Sequence, residues 1–356
     1  MKILVAIPTW NRAGYLDKAV QAIANARSAS QNCDVELFVS DNCSSDHTAE
    51  VMARWQEQAP WIHYRRWEEH VAFFGPELFR RALLGSGLTY DYLWLQGDDD
   101  AICDIAAYDK LTAAIEACEA HPPCIVHCCQ GQRALPGDTR IIEGNTEDLC
   151  NTYGWHDLLG WISSLVMSSD TVERMLSSPH SEMQPPSSYW HAEALLEAGY
   201  GHSMLILTEG LIVTQDERQT PECVERWAKT NVGPRYWHII PGLSSLKERG
   251  VITKPLTLGF FRYLTYSFWD RFALELLQRA CSSKTPAEVI ETHLSMLGYM
   301  GDLLGYREDA KLYKTWLDGF RSDLQAVRRT HELVLQRMES YQQPSYSFSL
   351  LNGDDR

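Results

Sequence analysis

The chain lacks the glycine loops that usually grip phosphate. After its first apolar run, Lys2 to Ile7, it reads PTWNRAGY. This is neither the G-x-G-x-x-G of a dinucleotide-binding turn nor the G-x-x-x-x-G-K-[ST] of a P-loop, so both folds are excluded at that position. Positive charge is scarce: 32 Lys and Arg face 47 Asp and Glu, for a formal charge of −15. Nucleic acid would be repelled over most of such a surface, so no nucleic-acid partner is expected. No stretch approaches the ~20 apolar residues of a membrane span. The opening apolar run stops at Pro8, short of the roughly 7–15 residues of a signal-peptide core. The expected location is therefore the cytoplasm, with the inner face of the membrane as the alternative. Internal repeats and low-complexity linkers are also missing. The 10 cysteines form no disulfide framework, and the neighbours Cys128 and Cys129 fit a reducing compartment. In CIVHCC, Cys124 to Cys129, side chains alternate across a strand, so the thiols cannot converge on one metal.

What is present is a regular alternation. Lys2–Ile7, Val35–Asp41, IHYRRW and YDYLWLQ read as strands. Between and after them, NRAGYLDKAVQAIANA, SSDHTAEVMARWQEQ, GPELFRRALLGS and IAAYDKLTAAIEACEA read as helices. Ser45 or Asp46 is the expected N-cap of the second helix, and Pro76 suits the first turn of the third. Alternation of this kind means βαβ units and a mostly parallel sheet flanked by helices, an α/β fold. PCIVHCC and MLILTEGLIVTQ add strands in a more mixed middle section, with a helix over about Ala192–Ala198. The expected division is a catalytic domain over 1–233, split near 120, a helical appendage over 234–341, and a loosely ordered tail over 342–356. In the appendage, FFRYLTYSFWDRF (Phe260 to Phe272) has too many aromatics for a solvent-facing helix. Cover by the catalytic domain or by a second subunit, a homodimer through the appendage, is expected.

The stretch YLWLQGDDDAI, Tyr92 to Ile102, runs an apolar strand directly into Asp98, Asp99 and Asp100. Carboxylates this close repel one another and lose hydration when covered. A solvated loop is the plain reading. The other is a divalent cation, Mg²⁺ or Mn²⁺, which hard oxygen ligands hold and which would neutralise a diphosphate. Asp41 and the triplet both stand at carboxyl ends of strands, where open α/β sheets keep their ligand crevice.

Three segments, VAIPTWNRAGYLDKAVQAI, VELFVSDNCSSDHTAEV and YLWLQGDDDAI, together resemble the family 2 glycosyltransferases of GT-A fold, over about residues 1–120. GWISSLVMSS and YWHAEALLEAGYG are similar, more loosely, to bacterial O-antigen-type members such as abequosyltransferases. The resemblance implies that Pro8, Thr9, Asn11 and Arg12 line a nucleotide pocket. It implies that Asp41 accepts a hydrogen bond from the base, with Asp46 nearby. Asp98 and Asp100 become the D-x-D pair, with Asp98 facing ribose or metal and Asp100 on the metal. Asp99 orients the loop or touches the donor sugar. On the residues alone, Asn11 and Asp46 serve equally as helix caps, and Arg12 as a surface charge.

The family's base is usually an aspartate in a Glu-Asp pair, and Trp190 and His191 stand there instead. The role therefore falls to His191, whose intrinsic pKa suits a neutral-pH base, or to Glu193. The implied reaction is metal-dependent, inverting transfer of a sugar from a nucleoside diphosphate sugar to a saccharide, lipid-linked or other hydroxyl acceptor, as in bacterial polysaccharide synthesis. The alternatives are a sugar-phosphate nucleotidyltransferase, which would open with a Gly-rich basic loop, and a non-catalytic carbohydrate-binding or scaffold protein on the same fold.

Overall fold

The computed structural model describes residues 1–71, 76–118, 122–130, 141–153, 158–178 and 190–215, with positions 246, 248–250 and 329. The strands are β1 (Lys2–Thr9), β2 (Asp34–Asp41), β3 (Ile62–Arg66), β4 (Tyr92–Leu95), β5 (Asp100–Ile102), β6 (Ile125–Gln130), β7 (Ile141–Asn145), β8 (Leu165–Ser168) and β9 (Ser203–Thr214). The helices are α1 (Ala13–Ala29), α2 (Thr48–Gln58), α3 (Pro76–Leu84), α4 (Ala107–Glu116), α5 (Thr146–Tyr153), α6 (Ser169–Ser177) and α7 (Trp190–Gly199). The expected appendage and tail, with the aromatic stripe, lie outside the described residues apart from the isolated positions. Among the described residues no helix is long and apolar enough to cross a membrane.

β1 is apolar without alternation because both of its faces are covered: Ile3, Leu4, Val5, Ala6 and Ile7 are all fully buried. α1 lays Leu16, Val20 and Ile23 into the same core as Ile3, Val5 and Ile7. The nine strands form one sheet in the order β3-β2-β1-β4-β8-β6-β9-β5, with β7 also on β9.

The sheet is mixed, which corrects the expectation of a mostly parallel one. β1–β2, β1–β4, β2–β3 and β6–β9 are parallel; β4–β8, β6–β8, β5–β9 and β7–β9 are antiparallel. The parallel βαβ logic holds up to β4. Beyond it, β8 runs back along β4 with Leu165 opposite Leu95, so the start of β8 meets the end of β4. MLILTEGLIVT falls within one 12-residue strand, β9. The described cysteines are free thiols, and Cys128 and Cys129 are both buried.

Candidate active site

β1 has β2 on one side and β4 on the other, all parallel, so their carboxyl ends share one edge. The strand order reverses between β1 and β4, the switch point at which open α/β sheets leave a crevice. Thr9 and Asp98 meet there, the Thr9 hydroxyl donating to Asp98 Oδ2 at 2.7 Å.

Arg12 is no surface charge. Its Nη1 lies 2.9 Å from Asp98 Oδ1 and 3.0 Å from Asp99 Oδ2, an internal cation between two of the three aspartates. Both oxygens of Asp98 are thus engaged, and the residue is 5% exposed. Burial pushes its carboxyl up to about 6, against the pull of Arg12 and Thr9 and with a further push from Asp99.

The loops after β1 and β2 are sewn together by residues that also start helices. Asn11 sits in the left-handed region at φ 52, which asparagine tolerates. Its Oδ1 accepts the Ser45 N–H at 2.7 Å and the Asp46 N–H at 3.3 Å, while its own N–H donates to Ser44 Oγ. Asp46 serves two helices: one oxygen accepts the Ala13 N–H opening α1, the other the Thr48 N–H and hydroxyl opening α2. Burial would raise its carboxyl, but these donors outweigh that and hold it below the usual range. Asp41 is fully buried, accepting from Ser44 N–H at 2.8 Å and from the Tyr64 hydroxyl at 2.6 Å. Burial, then the Asp41 carboxylate, raises the Tyr64 phenol far above its normal range. Pro8 is the residue of β1 in register with Ser40 of β2, one step before Thr9 faces Asp41.

Asp100 is the first residue of β5 and is 2% exposed. Its Oδ2 accepts the Trp161 indole N–H at 3.0 Å and the Ser163 hydroxyl. Ser163 Oγ in turn accepts the Gly97 N–H at 2.8 Å, and Ser163 O accepts the Trp94 indole at 2.8 Å. Gly97 is required for this closeness, since a Cβ there would stand 3.0 Å from Asp100 Oδ2 and 3.1 Å from Asp99 Oδ1. Gln215, just past β9, closes the turn from below with its N–H on Asp99 O and its side chain on Tyr15 O. Trp161, Ser163, Tyr64 and Gln215 were not expected from the sequence. GWISS was visible as a motif, but only the β4–β8 pairing places it beside the aspartates.

The rival bases lie in the packed interior. His191 and Glu193, both in α7, are 2% and 0% exposed. His191 stacks on Phe79 with ring centroids 5.1 Å apart, and its Nε2–H donates to Gly160 O at 3.1 Å. Burial drives the imidazole down to about 4, well away from the near-neutral value expected for a base. Its position makes it a brace for the Gly160–Trp161 backbone.

Among the described residues no three His, Cys, Asp or Glu side chains converge as an all-protein metal cage. Mg²⁺ and its like need none, being held by one or two carboxylates and completed by substrate phosphates. Asp100 beside Asp99 fits that reduced demand; Asp98, filled by Thr9 and Arg12, fits it less well.

Residues 4–75 match the family described as Glycosyl transferase family 2. Abequosyltransferase RfbV of Salmonella typhimurium is 36% identical over 104 residues, which span 29% of this chain and 29% of that relative. Among solved structures, TarS of S. aureus gives a TM-score of 0.54 at 13% identity, covering 88% of this chain and 54% of that one, a likeness of fold alone. A mannosyltransferase from Pyrobaculum calidifontis, solved with GDP-Man and Mn²⁺, gives 0.48 at 15% identity over 90% of this chain and 86% of that one. Over residues 4–75, which hold the first strands and the loops that carry Thr9, Arg12 and Asp41, the chain is similar to the family 2 glycosyltransferases, and over 104 residues it is similar to an abequosyltransferase.

Proposed function

We propose that this protein transfers a sugar from a nucleoside diphosphate sugar to an acceptor hydroxyl. The observation that carries the reading is the meeting of Thr9, Arg12 and Asp98–Asp100 at the sheet's switch point, with Thr9 and Arg12 inside the family match over residues 4–75. The donor's nucleotide is assigned to the loops after β1 and β2. Arg12 offsets one of the two negative charges of Asp98 and Asp99, which lessens the repulsion an anionic diphosphate meets at the triplet. Asp100, with Asp99 beside it, would hold a divalent ion, whose chemistry when bound is to neutralise the leaving diphosphate.

The acceptor hydroxyl oxygen forms its bond to the anomeric carbon as the bond from that carbon to the diphosphate oxygen breaks, and the hydroxyl's proton passes to solvent or to the departing diphosphate. Attack from the opposite face inverts the centre. His191 is assigned here to holding the Gly160–Trp161 backbone in place of taking the acceptor proton, because it is buried and its Nε2–H is engaged by Gly160 O. The acceptor class remains a saccharide, lipid-linked or other hydroxyl compound, and the site of action the cytoplasm.

A panel of nucleoside diphosphate sugars with Mn²⁺ tests the reading by release of nucleoside diphosphate. Release should depend on one donor, stop in EDTA, and vanish in Asp100→Asn with the fold intact. Full release in excess EDTA would overturn the metal-assisted step. Formation of pyrophosphate from a sugar phosphate and a nucleoside triphosphate would identify a nucleotidyltransferase instead.

A further inference from the structure

We propose that Trp161 and Ser163 form a two-donor clamp that orients Asp100 for a divalent ion, which makes them positioning residues of the donor site. The inference rests on the reading of Asp100 as the metal-holding carboxylate.

The clamp follows from topology. β8 runs antiparallel to β4, with Leu165 opposite Leu95, so the turn Trp161–Ser164 that precedes β8 must lie beside the Gln96–Asp100 turn that follows β4. The turn is fixed independently on two sides: Trp94 donates to Ser163 O from within β4, and Ser164 Oγ donates to Trp161 O. His191 adds a third tie through Gly160 O.

Both donors fall on the same carboxylate oxygen. The Trp161 indole can only donate, so its 3.0 Å contact to Asp100 Oδ2 has a fixed sense. Ser163 Oγ receives the Gly97 N–H at 2.8 Å, so its own proton is directed to Asp100 Oδ2. Two donors on Oδ2 stabilise negative charge on a carboxylate that is 2% exposed, and they fix its plane. Gly97 belongs to the device, since any side chain there would press on Asp100 Oδ2 and Ser163 Oγ together. Outer partners of this kind commonly set the orientation and affinity of metal-holding carboxylates.

The test is Mn²⁺ uptake by the purified full chain, followed by the electron paramagnetic resonance of free Mn²⁺, with ADP, CDP, GDP, UDP and dTDP in parallel. Nucleotide binding without metal is titrated alongside. With the nucleotide that supports uptake in the wild type, Trp161→Phe and Ser163→Ala should each weaken Mn²⁺ uptake by about 10–100-fold. Their metal-free nucleotide affinity should stay near the wild-type value. Ser163→Thr, which keeps the hydroxyl, should restore most of the loss. Uptake by Trp161→Phe and Ser163→Ala equal to wild type would overturn the clamp and leave the metal reading standing. So would an equal loss of metal-free affinity and thermal midpoint, which marks a merely structural role. A wild type that takes up no Mn²⁺ with any of the five nucleotides would overturn the metal reading of Asp100 itself, and the clamp with it.

Discussion

The Thr9 hydroxyl and the Asp98 carboxylate lie 2.7 Å apart although 89 positions separate them in the chain. Parallel pairing of β1 with β4 brings them together, and both are almost wholly buried. Thr9→Val keeps the shape and removes the donor to a charged acceptor. Stability in urea should fall by about 1.5–3 kcal/mol, with Thr9→Ser much closer to wild type. An unchanged midpoint for Thr9→Val would mean that the contact contributes nothing net.

Arg12 and Asp98 form a pair whose side chains are 11% and 7% exposed. Removing one partner leaves the other charge buried, so Arg12→Met should destabilise by roughly 3–5 kcal/mol. The double variant Arg12→Met with Asp98→Asn should recover much of that. Strictly additive losses in the double-mutant cycle would show that the two residues act independently.

His191 gives a pH dependence whose sign is fixed. Its folded pKa, about 4, lies below the 6.5 of the free group, so the unfolded chain binds the extra proton first as pH falls. The stability is therefore fully present above about 6.5 and is lost progressively towards 4, by up to about 3 kcal/mol for this group. Wild type should lose more stability between pH 7 and 4.5 than His191→Leu does. Parallel losses in the two proteins would count against a buried neutral imidazole.

Two glycines should respond in opposite directions to alanine. In Gly97→Ala the new Cβ meets Asp100 Oδ2 at 3.0 Å, Asp99 Oδ1 at 3.1 Å and Ser163 Oγ at 3.3 Å, and overpacking of that order costs about 1–3 kcal/mol. Gly14 lies in α1 with nothing within 4 Å of its Cβ, so Gly14→Ala should stabilise by about 0.5–1 kcal/mol. Thermal melts of the two variants side by side decide it, and equal shifts would refute the steric argument.

Much of the first half was legible because its strands are long and apolar and its helices periodic. Lys2–Ile7 and Val35–Asp41 each fall within one or two residues of β1 and β2. The strands that escaped have no such pattern. β5 is three residues long and begins with Asp100, β7 reads IIEGN, and β8 is only LVMS. They are strands because tertiary partners make them so, and each of the four antiparallel pairs includes one of these three strands. Residue type showed that Arg12 and Asp98 carry charge, and spacing put them near one edge. It could not show that they neutralise each other, since that depends on a pairing between distant strands. The burial of His191 was hidden for a related reason: histidine announces an ionisable ring and says nothing of the Phe79 ring packed beside it.

β9 has a consequence for the order of assembly. Its amino-terminal half pairs with β6 and β7, while its last residues hold β5, with Thr214 opposite Asp100 and the Gln215 N–H on Asp99 O. The aspartate turn is written early in the chain but is closed by a strand made much later. Such distant pairings bear loop-closure entropy before any contact rewards it, so they form late. As the chain emerges from the ribosome, β1, β2 and β4 can already lie side by side while Asp100 still lacks its strand partner. A fragment ending before Ser203 carries all three aspartates and no strand to hold the third.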